Sequence, residues 1–297
     1  MTNDQRHIKG LGTALITPFD ASGKVDYKAL AQLLDTQLTG FVDYLVVLGT
    51  TGEAATLSTD EKREVRRFIV NYVNGRLPLV LGVGGNNTAA VCAELSANLG
   101  EIQDNYAAIL SVCPYYNKPN QEGLYQHFCK VAEASPVPVI LYNVPGRTGV
   151  NLLPETVMRI FNAHPDKIAG IKEASGNLEQ IKHLIELTND KRQTTNDKLL
   201  VISGDDALAC EIMQAGGAGL ISVASNAFPE DFWHIVHDKD AALQAKYEEM
   251  IKLLFAEGNP VGIKAVLAQK GIIQNYLHLP LVPASEKLQQ QILCTTP

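Results

Sequence analysis

Eight short apolar runs, each followed by an amphipathic stretch, constrain this chain more than any other feature. The runs are Leu11–Pro18, Tyr44–Gly49, Leu77–Val83, Ala107–Cys113, Pro138–Val144, Ile168–Ala174, Leu199–Ser203 and Ala218–Val223. They are nearly continuous in apolar and β-branched residues and do not alternate, as parallel strands covered on both faces require. Between them lie helical patterns at Tyr27–Leu38, Thr59–Val73, Thr88–Leu99, Glu122–Ala134, Pro154–Phe161, Leu178–Leu187 and Ala207–Gln214. Ser58, with Glu61 three residues on, forms a capping box for the second, and Asn177 is placed to cap the sixth. Eight βα units in a chain of 297 residues predict an α/β fold, the (β/α)8 TIM barrel, whose usual length is roughly 250 residues. A doubly wound sheet would use the same alternation, but it calls for a glycine-rich turn after the first strand. Gly10-Leu11-Gly12 precedes that strand, lacks the third glycine and opens no helix.

From Pro229 onward the pattern is mostly helical, with a long amphipathic helix expected over 231–257, a break at Gly258-Asn259-Pro260 and a resumed helix over 261–269. Residues 1–228 are therefore expected to supply the barrel strands and helices. Residues 229–297 add the last barrel helix and a C-terminal helical appendage, all in one structural domain.

Charge narrows the partners. Lys+Arg 25 against Asp+Glu 32 leaves a net charge of −7, which argues against nucleic acid or anionic lipid as a partner. A small anionic substrate needs only one or two placed cations. The five cysteines are scattered without a C-x-x-C pair, which fits reduced thiols in a cytoplasmic protein better than a disulfide framework or a structural zinc site. The first ten residues, MTNDQRHIKG, lack the apolar stretch of a signal peptide, and the most weakly charged segment, 212–229, is too polar to span a membrane.

A barrel of this kind carries its chemistry at the C-terminal ends of its strands. Those ends read Gly49-Thr50-Thr51-Gly52-Glu53, Pro114-Tyr115-Tyr116-Asn117-Lys118-Pro119, Tyr142-Asn143-Val144-Pro145-Gly146-Arg147, Lys172-Glu173-Ala174-Ser175 and Ser203-Gly204-Asp205-Asp206. Strand alternation puts Ile168, Gly170 and Lys172 on one face, which aims the Lys172 ammonium into the barrel mouth beside small Gly170. A lysine in a partly dehydrated site becomes a usable amine nucleophile toward a carbonyl. A strand-end lysine that merely reaches solvent or pairs with Glu173 is the commoner case for a lysine taken alone. Tyr142 ends the preceding strand, where its phenol can pass a proton if Thr51 and Tyr116 extend the hydroxyl chain. Arg147 follows Pro-Gly in a loop, where its fork suits a substrate carboxylate.

Two weaker patterns have plainer readings. His234 and His237 are three apart on a helix but have no third metal ligand near in sequence, so a surface or core role is favoured. Gly216-Gly217-Ala218-Gly219 matches a phosphate cradle and matches at least as well a tight turn into a buried strand.

Taken together and in order, the strand-end motifs resemble the dihydrodipicolinate synthase/N-acetylneuraminate lyase family over Leu11 to about Pro283. The resemblance implies a class I aldolase-type TIM barrel, a homotetramer made of two tight dimers, and no cofactor beyond a covalent pyruvate Schiff base on Lys172. It further implies condensation of pyruvate with L-aspartate-4-semialdehyde in the diaminopimelate route to lysine. Tyr142 is then the proton donor and acceptor, with Thr51 and Tyr116 completing the relay, Thr50 beside it, and Tyr116 donated by a neighbouring subunit. Thr51, Ile221 and Gly204 match substrate-binding positions, and Arg147 matches the residue that holds the semialdehyde carboxylate. The alternative within the family is another pyruvate-dependent aldolase, such as N-acetylneuraminate lyase or a keto-deoxy sugar acid aldolase. Sialic acid lyases lack this arginine and usually have Ser-Thr at Thr50-Thr51, which favours the condensing branch. Lysine-inhibited members tend to carry histidine or glutamate where Thr59, Lys62 and Ala90 stand, so weak lysine inhibition is expected here, although Asn86 and Tyr115 match the effector site.

Overall fold

All eight apolar runs form strands: β1 (Gly10–Ala14), β2 (Tyr44–Val47), β3 (Leu79–Gly82), β4 (Ala108–Val112), β5 (Val139–Asn143), β6 (Ile168–Glu173), β7 (Leu200–Ser203) and β8 (Gly219–Ser222). The computed structural model describes residues 8–189 and 198–295. The strands follow one another in sequence order around a closed parallel barrel. Every residue of β1, β2, β5, β6, β7 and β8 is buried, which accounts for runs that are apolar throughout rather than alternating. The helices between them match the amphipathic segments, and the Ser58 capping box and the Asn177 cap both form. Among the described residues no helix is long and apolar enough to cross a membrane.

The chain divides into two compact units, one drawn from residues 79–220 and the other from residues 10–78 and 221–297. In the first, β3 to β8 pair in parallel. The β5–β6 register slips once, between Val139 and Ile140, and then runs Tyr142 opposite Lys172 and Asn143 opposite Glu173. The turn after helix Ala209–Gln214 settles the glycine run: Gly216 sits at φ +102 and the Gly217 N–H donates to Ile212 O at 2.8 Å. A Cβ at Gly217 would lie 2.6 Å from the Ile212 side chain, so these glycines close a tight turn into β8.

In the second unit, Gly10-Leu11-Gly12 lies within β1 rather than before it, and its glycines serve packing. A Cβ at Gly12 would lie 2.2 Å from the fully buried Tyr44 ring, and Gly10 sits at φ +83 against Asp43. The helix expected over 231–257 is instead three: Pro229–His237, Ala241–Lys246 and Glu248–Phe255. Lys239 turns left-handed at φ +55, and Asp240 then caps the next helix by accepting the Leu243 N–H at 2.9 Å. His234 and His237 bond to different carboxylates, Asp238 at 2.6 Å and Asp43 at 2.7 Å. Among the described residues no group of side chains is arranged to hold a metal.

The C-terminal segment anchors itself to the turn beyond β2 through a buried ion pair. Glu53 turns left-handed at φ +53 and meets Lys264, from helix Val261–Gln269, at 2.5 Å. The Lys264 ammonium also donates to Tyr276 O at 3.0 Å and lies 4.1 Å from the Phe19 ring centroid, on which His278 stacks. Burial pulls the Lys264 ammonium down to about 8, against the opposing pull of Glu53. Removing one partner would leave a buried charge uncompensated. Lys264→Met is therefore expected to destabilise the fold by about 3–5 kcal/mol, and Glu53→Gln with Lys264→Met to recover much of that loss in denaturant unfolding. A single variant as stable as the parent would show that the pair does not anchor the segment.

Candidate active site

The β5–β6 register sets the first part of the site. Because Tyr142 lies opposite Lys172 on neighbouring strands, both side chains leave the sheet side by side. The Lys172 Nζ rests 4.4 Å from the Tyr142 ring centroid, and both residues are only 6% exposed. An amine pressed against the face of a phenol and shielded from bulk water is placed for carbonyl chemistry with a proton carrier alongside.

Glycine supplies the room, although not the glycine expected from strand alternation. A Cβ at Gly170 would strike Leu200 O at 2.5 Å, so that residue serves the close approach of β6 to β7. Gly204 lies beside the lysine: a Cβ there would sit 2.9 Å from Lys172 Cε, 3.1 Å from Lys172 Cγ and 2.7 Å from the Ala174 methyl. The Gly204 N–H is tied to Glu173 O at 2.8 Å, which fixes the loop against the stem of the lysine.

Glu173 is bonded elsewhere than to Lys172. Asn143 Nδ2 donates to both of its carboxylate oxygens at 3.2 and 3.0 Å, the Ser175 N–H at 2.8 Å and Gln180 Nε2 at 3.2 Å. Burial still pushes this carboxyl above its ordinary range, against those hydrogen bonds. Asn143 Oδ1 in turn accepts the Leu152 N–H at 2.9 Å, so the Asn143–Glu173 pair ties the ends of β5 and β6 to the chain beyond them. Cys113, at the end of β4, is buried, and burial and the nearby Glu173 raise its thiol far from the reactive range.

Two loops of the same unit carry Tyr116 and Arg147. Tyr116 is 88% exposed and held at φ +76, with its N–H on Thr148 O at 3.3 Å. Lys118 is also left-handed, at φ +47, and packs over Gly149. Two non-glycine residues in this conformation within three positions is a costly arrangement, the kind retained where a side chain must be presented. Arg147 is exposed, on the short helix Pro145–Thr148, whose Thr148 hydroxyl bonds Val144 O and Val150 O. Asn86 donates to Tyr115 O at 3.1 Å, while Ala90 lies exposed in the first turn of helix Thr88–Ala97.

Thr50, Thr51 and Ile221 belong to the other unit. Thr50 and Thr51 open the turn Thr50–Gly52 after β2, Thr50 exposed and Thr51 buried. The Thr17 hydroxyl holds Gly52 O at 2.7 Å, and Thr51 Oγ1 accepts from Asn259 Nδ2 at 2.9 Å. Ile221 is buried near the end of β8. Asn259 and Lys264 carry no motif of their own in the sequence, since Gly258-Asn259-Pro260 reads only as a helix break.

The comparisons with known proteins agree with one another. A family model described as the dihydrodipicolinate synthetase family matches residues 7–295. A 4-hydroxy-tetrahydrodipicolinate synthase of Azobacteroides pseudotrichonymphae genomovar. CFP2 is 47% identical over 293 residues, covering 96% of this chain and 95% of its own. A solved structure characterised as the first monomeric dihydrodipicolinate synthase variant matches with a TM-score of 0.90 at 38% identity, covering 98% and 96% of the two chains. A chloride-inhibited dihydrodipicolinate synthase from Acinetobacter baumannii, complexed with pyruvate, matches at 0.88 and 38% identity, covering 96% and 97%.

Gly204→Ala tests the lysine geometry. The added methyl would force the Lys172 stem to move, and a displacement near 1 Å at a reacting atom can lower the rate about 100-fold. A rate loss of that order is expected in steady-state assays, with overpacking costing about 1–3 kcal/mol of stability. Unchanged kcat would place the reacting atom elsewhere.

Proposed function

The chain belongs to the dihydrodipicolinate synthetase family, and we propose that it works there as a Schiff-base-forming lyase, joining pyruvate to L-aspartate-4-semialdehyde on Lys172. The reaction is that of the 4-hydroxy-tetrahydrodipicolinate synthases, in lysine biosynthesis. The observation that carries this reading is the buried Lys172 amine lying against the Tyr142 ring.

In this scheme the Lys172 amine attacks the ketone carbon of pyruvate. Proton transfers turn the ketone oxygen into water, which leaves as the C=N bond forms. Loss of a proton from the pyruvate methyl gives an enamine, whose carbon attacks the aldehyde carbon of the second substrate. Tyr142 gives and takes these protons, with Thr51 and Tyr116 as the further hydroxyls of the relay and Thr50 beside them. Thr51, Ile221 and Gly204 hold pyruvate, and the Arg147 fork takes the semialdehyde carboxylate. The covalent imine supplies the electron sink, so the scheme uses no cofactor or metal.

The exposure and left-handed backbone of Tyr116 support its donation to a neighbouring subunit, within a homotetramer of two tight dimers. Five free cysteines fit a cytoplasmic setting.

An assay pairing pyruvate with candidate aldehydes tests the reaction. Turnover is expected with L-aspartate-4-semialdehyde and not with N-acetylmannosamine, and Lys172→Arg is expected to abolish it, because arginine cannot serve as the amine. Preference for the sugar aldehyde would overturn the assignment. Added lysine is expected to inhibit that turnover weakly, since Ala90 offers no acceptor for an ammonium group; submillimolar half-inhibition would contradict this.

Subunit mixing tests the shared site. Tyr116→Phe is expected to lower kcat on the order of 10²–10⁴-fold. Mixed oligomers of Tyr116→Phe with Lys172→Ala are expected to regain part of the activity, because some sites then hold both intact residues. Proven subunit exchange with no recovery would put Tyr116 outside the partner's site.

A further inference from the structure

The loop that carries Arg147 is closed at its base by one side chain. Asn143 ends β5; its Nδ2 donates to Asn151 Oδ1 at 2.8 Å, and its Oδ1 accepts the Leu152 N–H at 2.9 Å. Residues 144–151 therefore leave and return to one fixed point. Inside the loop, the buried Thr148 hydroxyl bonds Val144 O at 3.2 Å and Val150 O at 3.0 Å, and the Gly149 N–H bonds Pro145 O at 2.9 Å. A loop braced internally in this way moves as one piece when its base moves.

Gln180 holds that base against β6. It lies in the first turn of helix Leu178–Asn189, where the Asn177 cap accepts its backbone N–H at 3.1 Å. Its side chain makes a reciprocal pair with Asn151: Asn151 Nδ2 donates to Gln180 Oε1 at 2.8 Å, and Gln180 Nε2 donates to Asn151 Oδ1 at 3.1 Å. The same Nε2 donates to Glu173 Oε2 at 3.2 Å. A primary amide has two N–H groups and one carbonyl oxygen. Gln180 thus commits its whole amide, partly to the end of the Arg147 loop and partly to the carboxylate that follows Lys172 in β6.

We propose that Gln180 is a positioning residue of the reaction, which fixes the Arg147 loop relative to the strand that bears Lys172. The proposal rests on the reading of Arg147 as the group that holds the semialdehyde carboxylate. That spacing matters in the second half of the scheme. The aldehyde carbon must meet an enamine anchored on Lys172 while the carboxylate of the same small molecule is held on Arg147. Imine formation between pyruvate and Lys172 makes no use of it.

Gln180→Met keeps the length of the side chain and removes its hydrogen bonds. The variant is expected to lose kcat/KM for L-aspartate-4-semialdehyde on the order of tenfold. The rate at which pyruvate with borohydride inactivates it should stay that of the parent. General loosening of β6 would slow both steps. Gln180→Asn, one methylene too short to reach Asn151 and Glu173 together, carries the test if the methionine variant does not fold. In an Arg147→Met background, where no guanidinium remains to be placed, neither substitution should lower kcat/KM further.

Parent-like kcat/KM for the semialdehyde in a folded Gln180 variant would overturn the proposal. So would an equal slowing of pyruvate trapping, or a full further loss in the Arg147→Met background. Each of these leaves the Arg147 reading intact. Parent-like kcat/KM in Arg147→Met alone would instead remove Arg147 from the carboxylate site, and the proposal with it.

Discussion

The pairing of β5 with β6 sets the geometry on which the proposed chemistry depends. Once Tyr142 is opposite Lys172, a buried amine and a phenol must lie side by side, since parallel strands fix both the spacing and the direction of neighbouring side chains. A slip of β6 by one residue would send Lys172 to the opposite face, away from Tyr142. The pair Asn143–Glu173 is next in register and resists that slip: a buried carboxyl, held by Asn143, Ser175 and Gln180, would lose several hydrogen bonds if the strands moved. The chemical pair and the structural pair are thus neighbours along the same two strands. The second absorbs Glu173, the acidic neighbour of Lys172, so that this carboxylate does not tie up the amine on which the proposed chemistry depends.

A comparable division of labour appears around Thr51. The buried Glu53–Lys264 pair fixes the backbone of the turn after β2, at the desolvation cost that any buried ion pair carries. The bond from Asn259 to Thr51, at 2.9 Å, falls on one side-chain oxygen of that turn. The helical segment after the barrel strands therefore does more than cover the core of its unit. It reaches the strand-end turn that bears the expected relay hydroxyl.

Much of this was legible from the residues. Strand positions followed from apolar runs, because a strand buried on both faces leaves little freedom in composition. Lys172 stood out as an ionisable residue inside such a run, and the motif order identified the family. Features that depend on contacts between distant segments were not legible. Gly204 reads as a turn glycine, and only the path of the Lys172 stem shows why a methyl is excluded there. Asn259 and Lys264 lie in a segment whose local pattern says only that one helix stops and another begins, yet their partners are more than 200 residues away. The single long helix expected after Pro229 failed for a local reason. Amphipathic periodicity runs on across Asp238-Lys239-Asp240, while the left-handed turn at Lys239 and the Asp240 cap restart the helix.

The account stands on Lys172 forming an imine with pyruvate. Reduction with borohydride in the presence of pyruvate, followed by mass analysis of the digested protein, tests this directly. The account predicts irreversible inactivation and one reduced pyruvyl adduct on the peptide that carries Lys172. An adduct on a different lysine, or full activity after reduction, would contradict it.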